Sequence, residues 1–176
     1  MTPARRAVVA ALLLAPMTAR AQKRLEIPAK WYAVQADQNA FVVEMPGIPD
    51  HRLINDASAR GTPFVLHSYS LDHAGNSYLV QTAVYPPDVD TTQPKAVLQA
   101  VLNSRAQKLA GGKWSTTGWR EIGGAAAVES TGSLANGSQL RQLALLKAQR
   151  FVSLAFMGPS VTVTEADRFF RSLKIK

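Results

Sequence analysis

The groups with which this chain could do chemistry are three histidines, 12 carboxylates and no cysteine. His51, His67 and His73 stand at neither the i, i+2 nor the i, i+4 spacing of a preformed metal site, and no thiol is present to complete one. His67, Asp72 and His73 are the only close grouping, and the end of a strand followed by a polar turn accounts for it. The absence of cysteine removes thiol nucleophiles, and no Gly-x-Ser-x-Gly elbow offers a serine instead. Gly111-Gly112-Lys113-Trp114-Ser115 lacks the first glycine of a phosphate loop and reads as the end of a helix. Glu44, Glu121 and Glu129 could converge from neighbouring strands as a glycosidase pair does, but strand alternation puts each on a solvent face. Asn136-Gly137-Ser138 matches a glycosylation triplet, yet Asn-Gly is foremost a hairpin turn. The reading that follows is a non-enzyme, with no catalytic, cofactor-binding or metal residue and no cofactor.

The elements that would position any site follow from periodicity. In 41–49, Phe41, Val43 and Met45 alternate with Val42 and Glu44, predicting a strand with one buried face, and Pro46, Gly47 and Pro49 stop it in a turn. Residues 31–35 form a second short strand, and Asp37-Gln38-Asn39 joins the two into a hairpin that opens the sheet. Residues 51–62 are polar, with only Leu53 and Ile54 of any apolar size, and predict a loop or one helical turn. A hairpin follows at 64–71 and 77–85, with its turn at Gly75-Asn76.

From Lys95 the period lengthens. Leu98, Leu102, Ala106 and Leu109 make one stripe, predicting a helix with Thr92 and Pro94 at its start and Gly111-Gly112 at its end. Period two then returns in 114–122, 125–131, 139–148 and 150–157, an antiparallel meander. Thr164 followed by Asp167 suggests a capping box for a closing helix whose apolar stripe is Phe169, Phe170 and Leu173. The expected class is α+β, a mostly antiparallel sheet with helices packed on its faces. A lipocalin-like β-barrel is the alternative, disfavoured by a helix in mid-chain.

Residues 1–21 carry Arg5 and Arg6, an apolar run and Ala19-Arg20-Ala21, the pattern of a cleaved secretory signal. The residues after the arginine pair do not complete a twin-arginine motif, so the general secretory route is expected. A flexible leader is expected at 22–30 and one α+β domain at 31–176. Without a cysteine for lipid attachment, no stable membrane anchor remains after cleavage, and the expected location is periplasmic or secreted. The formal net charge of +8 includes Arg5, Arg6 and Arg20 of the signal. The other basic residues are scattered rather than clustered, which argues against nucleic acid.

The strand and turn Phe-Val-Val-Glu-Met-Pro-Gly-Ile-Pro at 41–49, with the closing Ala-Asp-Arg-Phe-Phe-Arg-Ser-Leu-Lys-Ile at 166–175, resembles small exported bacterial proteins of the PsbP-like α-β-α sandwich type. The resemblance implies that sandwich fold. Its motifs are core and turn residues, so it implies no reactive site and carries no function over. The expected function is a non-catalytic exported domain that binds a protein partner or assists an envelope assembly. The alternatives are a carrier of a small apolar ligand, with its pocket between sheet and helices, and a hydrolase without a recognisable motif.

Overall fold

The computed structural model describes residues 30–36 and 41–176. The expected signal at 1–21, the leader up to residue 29 and the Asp37-Gln38-Asn39 turn lie outside the described residues. Strands β1 (Tyr32–Ala36) and β2 (Phe41–Met45) are antiparallel, with Val34 opposite Val43. Phe41, Val43 and Met45 are fully buried while Val42 and Glu44 are half-buried, the alternation that the sequence predicts. This pair does not open the main sheet, however. The short closing strand β10 (Lys174–Ile175) takes the other side of β2, making a separate three-stranded sheet. The hydrogen-bonding edges of β2 are thereby both used, and its apolar face is free to stack on a second sheet.

The loop expected at 51–62 is instead largely a strand, β3 (Asp50–Ala57), paired along its length with β4 (Pro63–His73). As an edge strand it has one neighbour, and its residues are exposed on both faces from Asp50 to Asn55, so no apolar period marks it. Strand β5 (Asn76–Val84) completes the expected hairpin with β4. Its turn lies one residue earlier than predicted, at Ala74 and Gly75. Their φ values of 49° and 77° are the positive pair that a tight hairpin of this hand requires.

Helix α1 (Pro94–Ala106) starts with its proline in the first turn and buries Leu98, Leu102 and Ala106. It ends short of the Gly111-Gly112 pair expected to close it. The Lys108 and Leu109 amides bond back three residues, to the Arg105 and Ala106 carbonyls, tightening the last turn. Leu109 is then extended and bridges to Leu134, leaving Gly111 and Gly112 in a separate 3-10 turn.

The meander is present as β6 (Thr116–Ile122), β7 (Ala125–Ser133), β8 (Gln139–Lys147) and β9 (Arg150–Gly158). The larger sheet has seven strands in the order β3-β4-β5-β9-β8-β7-β6, all antiparallel. Its edges, β3 and β6, are not joined among the described residues, which overturns the barrel alternative. Helix α2 (Thr164–Arg171) closes the chain ahead of β10. Its expected capping box does not form. Thr164 is already helical behind Val163, and Asp167 turns away to Arg141.

Register sorts the large sheet into two faces. Gln81, Ser153, Ala144 and Val128 share one row, and Val80, Leu154, Leu143 and Glu129 share a row on the other. On the first face, Leu98 and Leu102 of α1 pack with Val128, Ala144, Leu146 and Phe151. On the second, Phe41, Val43 and Met45 join Phe169, Phe170 and Leu173 over Val80, Leu143, Leu145, Val152 and Leu154. The second cover is therefore a small sheet plus a helix rather than a helix alone. Tyr78 of β5 centres that core, meeting Phe156 and Phe169 edge-on at centroid distances of 5.1 and 5.4 Å.

Candidate functional site

Pairing of β3 with β4 brings together two histidines that are 16 residues apart in sequence: His51 Nε2 and His67 Nδ1 are 3.2 Å apart. The two rings are 13° from parallel and their centroids 5.4 Å apart, so the nitrogens face each other along one hydrogen bond. His51 also lies flat on Tyr69 at 4.4 Å. The sequence could not show this pair because β3 was not legible as a strand. Among the described residues no group of three His, Asp or Glu side chains gathers as a metal site would. Asp72 of β4 accepts from Ser77, its partner on β5, and not from His67.

The three candidate glutamates do not converge. Glu44 is held by Arg168 of α2 at 2.9 Å. Glu121 pairs with Ala126 and Glu129 with Gly118, which places them on opposite faces of the sheet. Glu129 also departs from the expected solvent face, because its carboxylate is half-buried between Arg120 at 2.8 Å and Arg141 at 2.7 Å. Lys113 and Trp114 follow the 3-10 turn, and the Trp114 indole donates to the Leu102 carbonyl of α1, a packing role. Asn136 and Gly137 form the β7–β8 turn, with the Asn136 side chain accepting from the Ser138 amide.

The sequence offered a pocket between sheet and helices as one alternative without naming its residues; a cleft of about 350 Å³ lies between α1 and the first face of the large sheet. Its walls are mainly apolar: Phe64 and Leu66 of β4, Val97 and Val101 of α1, Phe151 of β9 and the ring of Tyr85. Helix periodicity explains the supply of side chains. Leu98, Leu102 and Ala106 point into the core, while Val97, Val101 and Arg105, each one position before them, border the cleft.

Two loops form the rim. Ser58, after β3, donates from Oγ to Asp88 Oδ2 after β5, and the same Oγ accepts the Arg60 and Thr62 amides, both at 3.2 Å. That bond holds the Asp88 carboxyl below the usual range.

Arg105 lies at the inner end. It donates from Nη1 to Ser153 Oγ at 2.8 Å and from Nη2 to Gln81 Oε1 at 3.1 Å. Burial pulls the guanidinium down to about 10, so it remains a cation at neutral pH. Tyr85 is pushed up to about 12, first by burial; Arg105 opposes the rise and Asp56 adds to it. Its phenol therefore stays protonated and able to donate. An apolar cleft with a few convergent polar groups is the usual form of a small-molecule site, and the volume lies in the range such sites occupy, roughly 300–1,000 Å³.

No protein-family model matches the chain, and no curated protein matches it in sequence. Among solved structures it is similar to cyanobacterial PsbP (CyanoP) from Synechocystis sp. PCC 6803, determined in solution. The TM-score is 0.54 at 11% sequence identity, over 89% of this chain and 98% of that one. At that identity the likeness speaks of architecture alone, and it agrees with the two-helix, mostly antiparallel arrangement built up above from register and burial. The chain has a PsbP-like fold.

Proposed function

We propose that this chain is a non-catalytic binding domain whose occupant is a small, largely apolar ligand held in the cleft under α1. The supporting observation is the cleft itself, mainly apolar on its walls, with polar groups at the rim and at Ser104, Arg105, Gln81 and Tyr85. This is the carrier alternative of the sequence reading, with its pocket between sheet and helix. Native mass spectrometry of the protein after gentle extraction tests it. A retained adduct that disappears in Val101→Trp, which fills the cleft, is the expected result; an unliganded mass from several growth conditions would count against it.

Docking of a protein partner, or help to an envelope assembly, is a second reading favoured by edge strand β3. Leu53 is 62% exposed there, with Ile54 and Val65 also exposed beside it. An open strand edge with apolar side chains can take an added strand from a partner. The hydrolytic alternative loses the support of Glu121 and Glu129, which face opposite ways. The proposed setting is periplasmic or secreted, with no membrane anchor after signal removal and no nucleic-acid partner. It rests on residues 1–21 and on the scattered charge. Among the described residues no helix is long and apolar enough to cross a membrane.

A further inference from the structure

We propose that the ligand of this cleft is a monocarboxylate with an apolar body, and that Arg105 binds its head group; the assignment rests on the cleft being the binding site. Arg120, Arg141 and Arg168 each have a carboxylate partner. Arg105 is bonded only to the hydroxyl of Ser153 and the amide oxygen of Gln81, both buried and both neutral. These groups fix the guanidinium plane without neutralising it, and its other N–H donors find no acceptor among the described residues. A cation drawn partly out of water with only neutral groups bonded to it is costly, and a bound carboxylate offsets that cost through the forked geometry that guanidinium favours.

The acids at the rim do not serve this purpose. Asp88 is engaged by Ser58, Asp90 by the Thr92 amide and hydroxyl, and Asp56 by the Ala57 amide. They line the same cleft, where Arg60 is the other cation among the described residues. A rim so rich in carboxylates disfavours a doubly charged head such as a phosphate monoester, whereas a single charge paired with Arg105 is accommodated. Tyr85, protonated and on the same wall, is placed to donate as a second group.

The test is calorimetric titration of the whole chain with decanoate, decanol and decyl phosphate. Decanoate is expected to bind at least about tenfold more tightly than decanol, as a charge-assisted hydrogen bond of about 1.5–3 kcal/mol implies. Arg105→Gln should erase that difference while decanol binding persists, and decyl phosphate should bind no more tightly than decanoate. Equal binding of acid and alcohol by the unaltered chain overturns the head-group assignment and leaves the cleft reading standing. Binding of none of the three overturns both. Tighter binding of decyl phosphate overturns the carboxylate assignment alone. The acid-against-alcohol comparison needs no substitution, so misfolding of Arg105→Gln would not shield the proposal.

Discussion

Asp167 on α2 accepts a 2.6 Å hydrogen bond from Arg141 on β8, and through that bond the closing helix is tied to the large sheet. Arg141 also donates to Glu129 of β7 at 2.7 Å, and its guanidinium carbon lies 4.5 Å from the ring centroid of Phe170. The two ends of the bond differ in environment. The Asp167 side chain is 43% exposed and that of Arg141 only 18%. Arg141→Met should therefore cost about 1–3 kcal/mol, because it leaves the half-buried Glu129 with Arg120 alone. Asp167→Asn should cost less than about 1 kcal/mol, as exposed pairs do. Urea unfolding of the two variants at neutral pH checks the order; a larger loss from Asp167→Asn would refute it.

The same bond sets a pH dependence. Arg141 holds the Asp167 carboxyl below its ordinary value of 3.8. A carboxylate depressed in the folded state adds stability that is fully present above the unfolded value and is lost as pH falls through the lower, folded one. Between neutral pH and about 3.8, the unaltered chain should hold its advantage over Asp167→Asn. The advantage should shrink below that value and vanish in stronger acid. Unfolding midpoints measured across this range would show it, and an advantage growing towards acid would contradict the assignment.

Phe170 is 5% exposed and its ring adjoins Phe169 at 5.2 Å as well as Arg141. Phe170→Ala should lose roughly 3–5 kcal/mol, as truncation of a large core aromatic does. A loss below about 1 kcal/mol in denaturant unfolding would mean that the ring is not part of the core between α2 and the sheets.

Gly132 on β7 is a packing position rather than a hinge. A methyl group there would stand 2.8 Å from Leu109 Cδ1 and 3.4 Å from the Trp114 ring. Leu109 is buried at its bridge to Leu134 and cannot swing freely into solvent. Gly132→Ala should cost about 1–3 kcal/mol by overpacking. Gly118→Ala on β6, where the same methyl meets nothing within 4 Å, should stay within about 1 kcal/mol of the unaltered chain. Equal effects of the two would remove the steric explanation.

How much of this was legible depends on whether burial wrote a period into the residues. β2 could be read from Phe41, Val43 and Met45 because one of its faces is sealed, and α1 from Leu98 and Leu102 for the same reason. β3 could not be read. His51, Leu53 and Asn55 face solvent as fully as Arg52 and Ile54 do, so its strand character comes from pairing with β4 and from nothing in its own pattern. The His51–His67 pair was hidden with it. The cleft was out of reach for a different reason, since Phe64, Asp88, Val101, Arg105 and Phe151 come from distant parts of the chain and only the crossing of α1 over the sheet unites them. Arg105 looked like one scattered cation among many. Its distinction, a guanidinium turned inward onto buried, neutral Gln81 and Ser153, is a fact of three dimensions.

Gln142 carries the last prediction. It lies in the middle of β8, opposite Ala155 on one side and Ser130 on the other, and is 0% exposed. Neither its amide nitrogen nor its amide oxygen has a hydrogen-bond partner among the described residues. An amide buried in this way gives up its hydration without return, at about 1–3 kcal/mol. Met has nearly the same length and no such demand, so Gln142→Met should leave the chain as stable as before or raise its stability by about 1 kcal/mol or more. Gln142→Ala should instead lose stability, because it opens a void beneath α1. Thermal and urea unfolding of both variants distinguish the two effects. If Gln142→Met lost more than about 1 kcal/mol, the amide would have a polar partner that its neighbours on β7 and β9 do not supply.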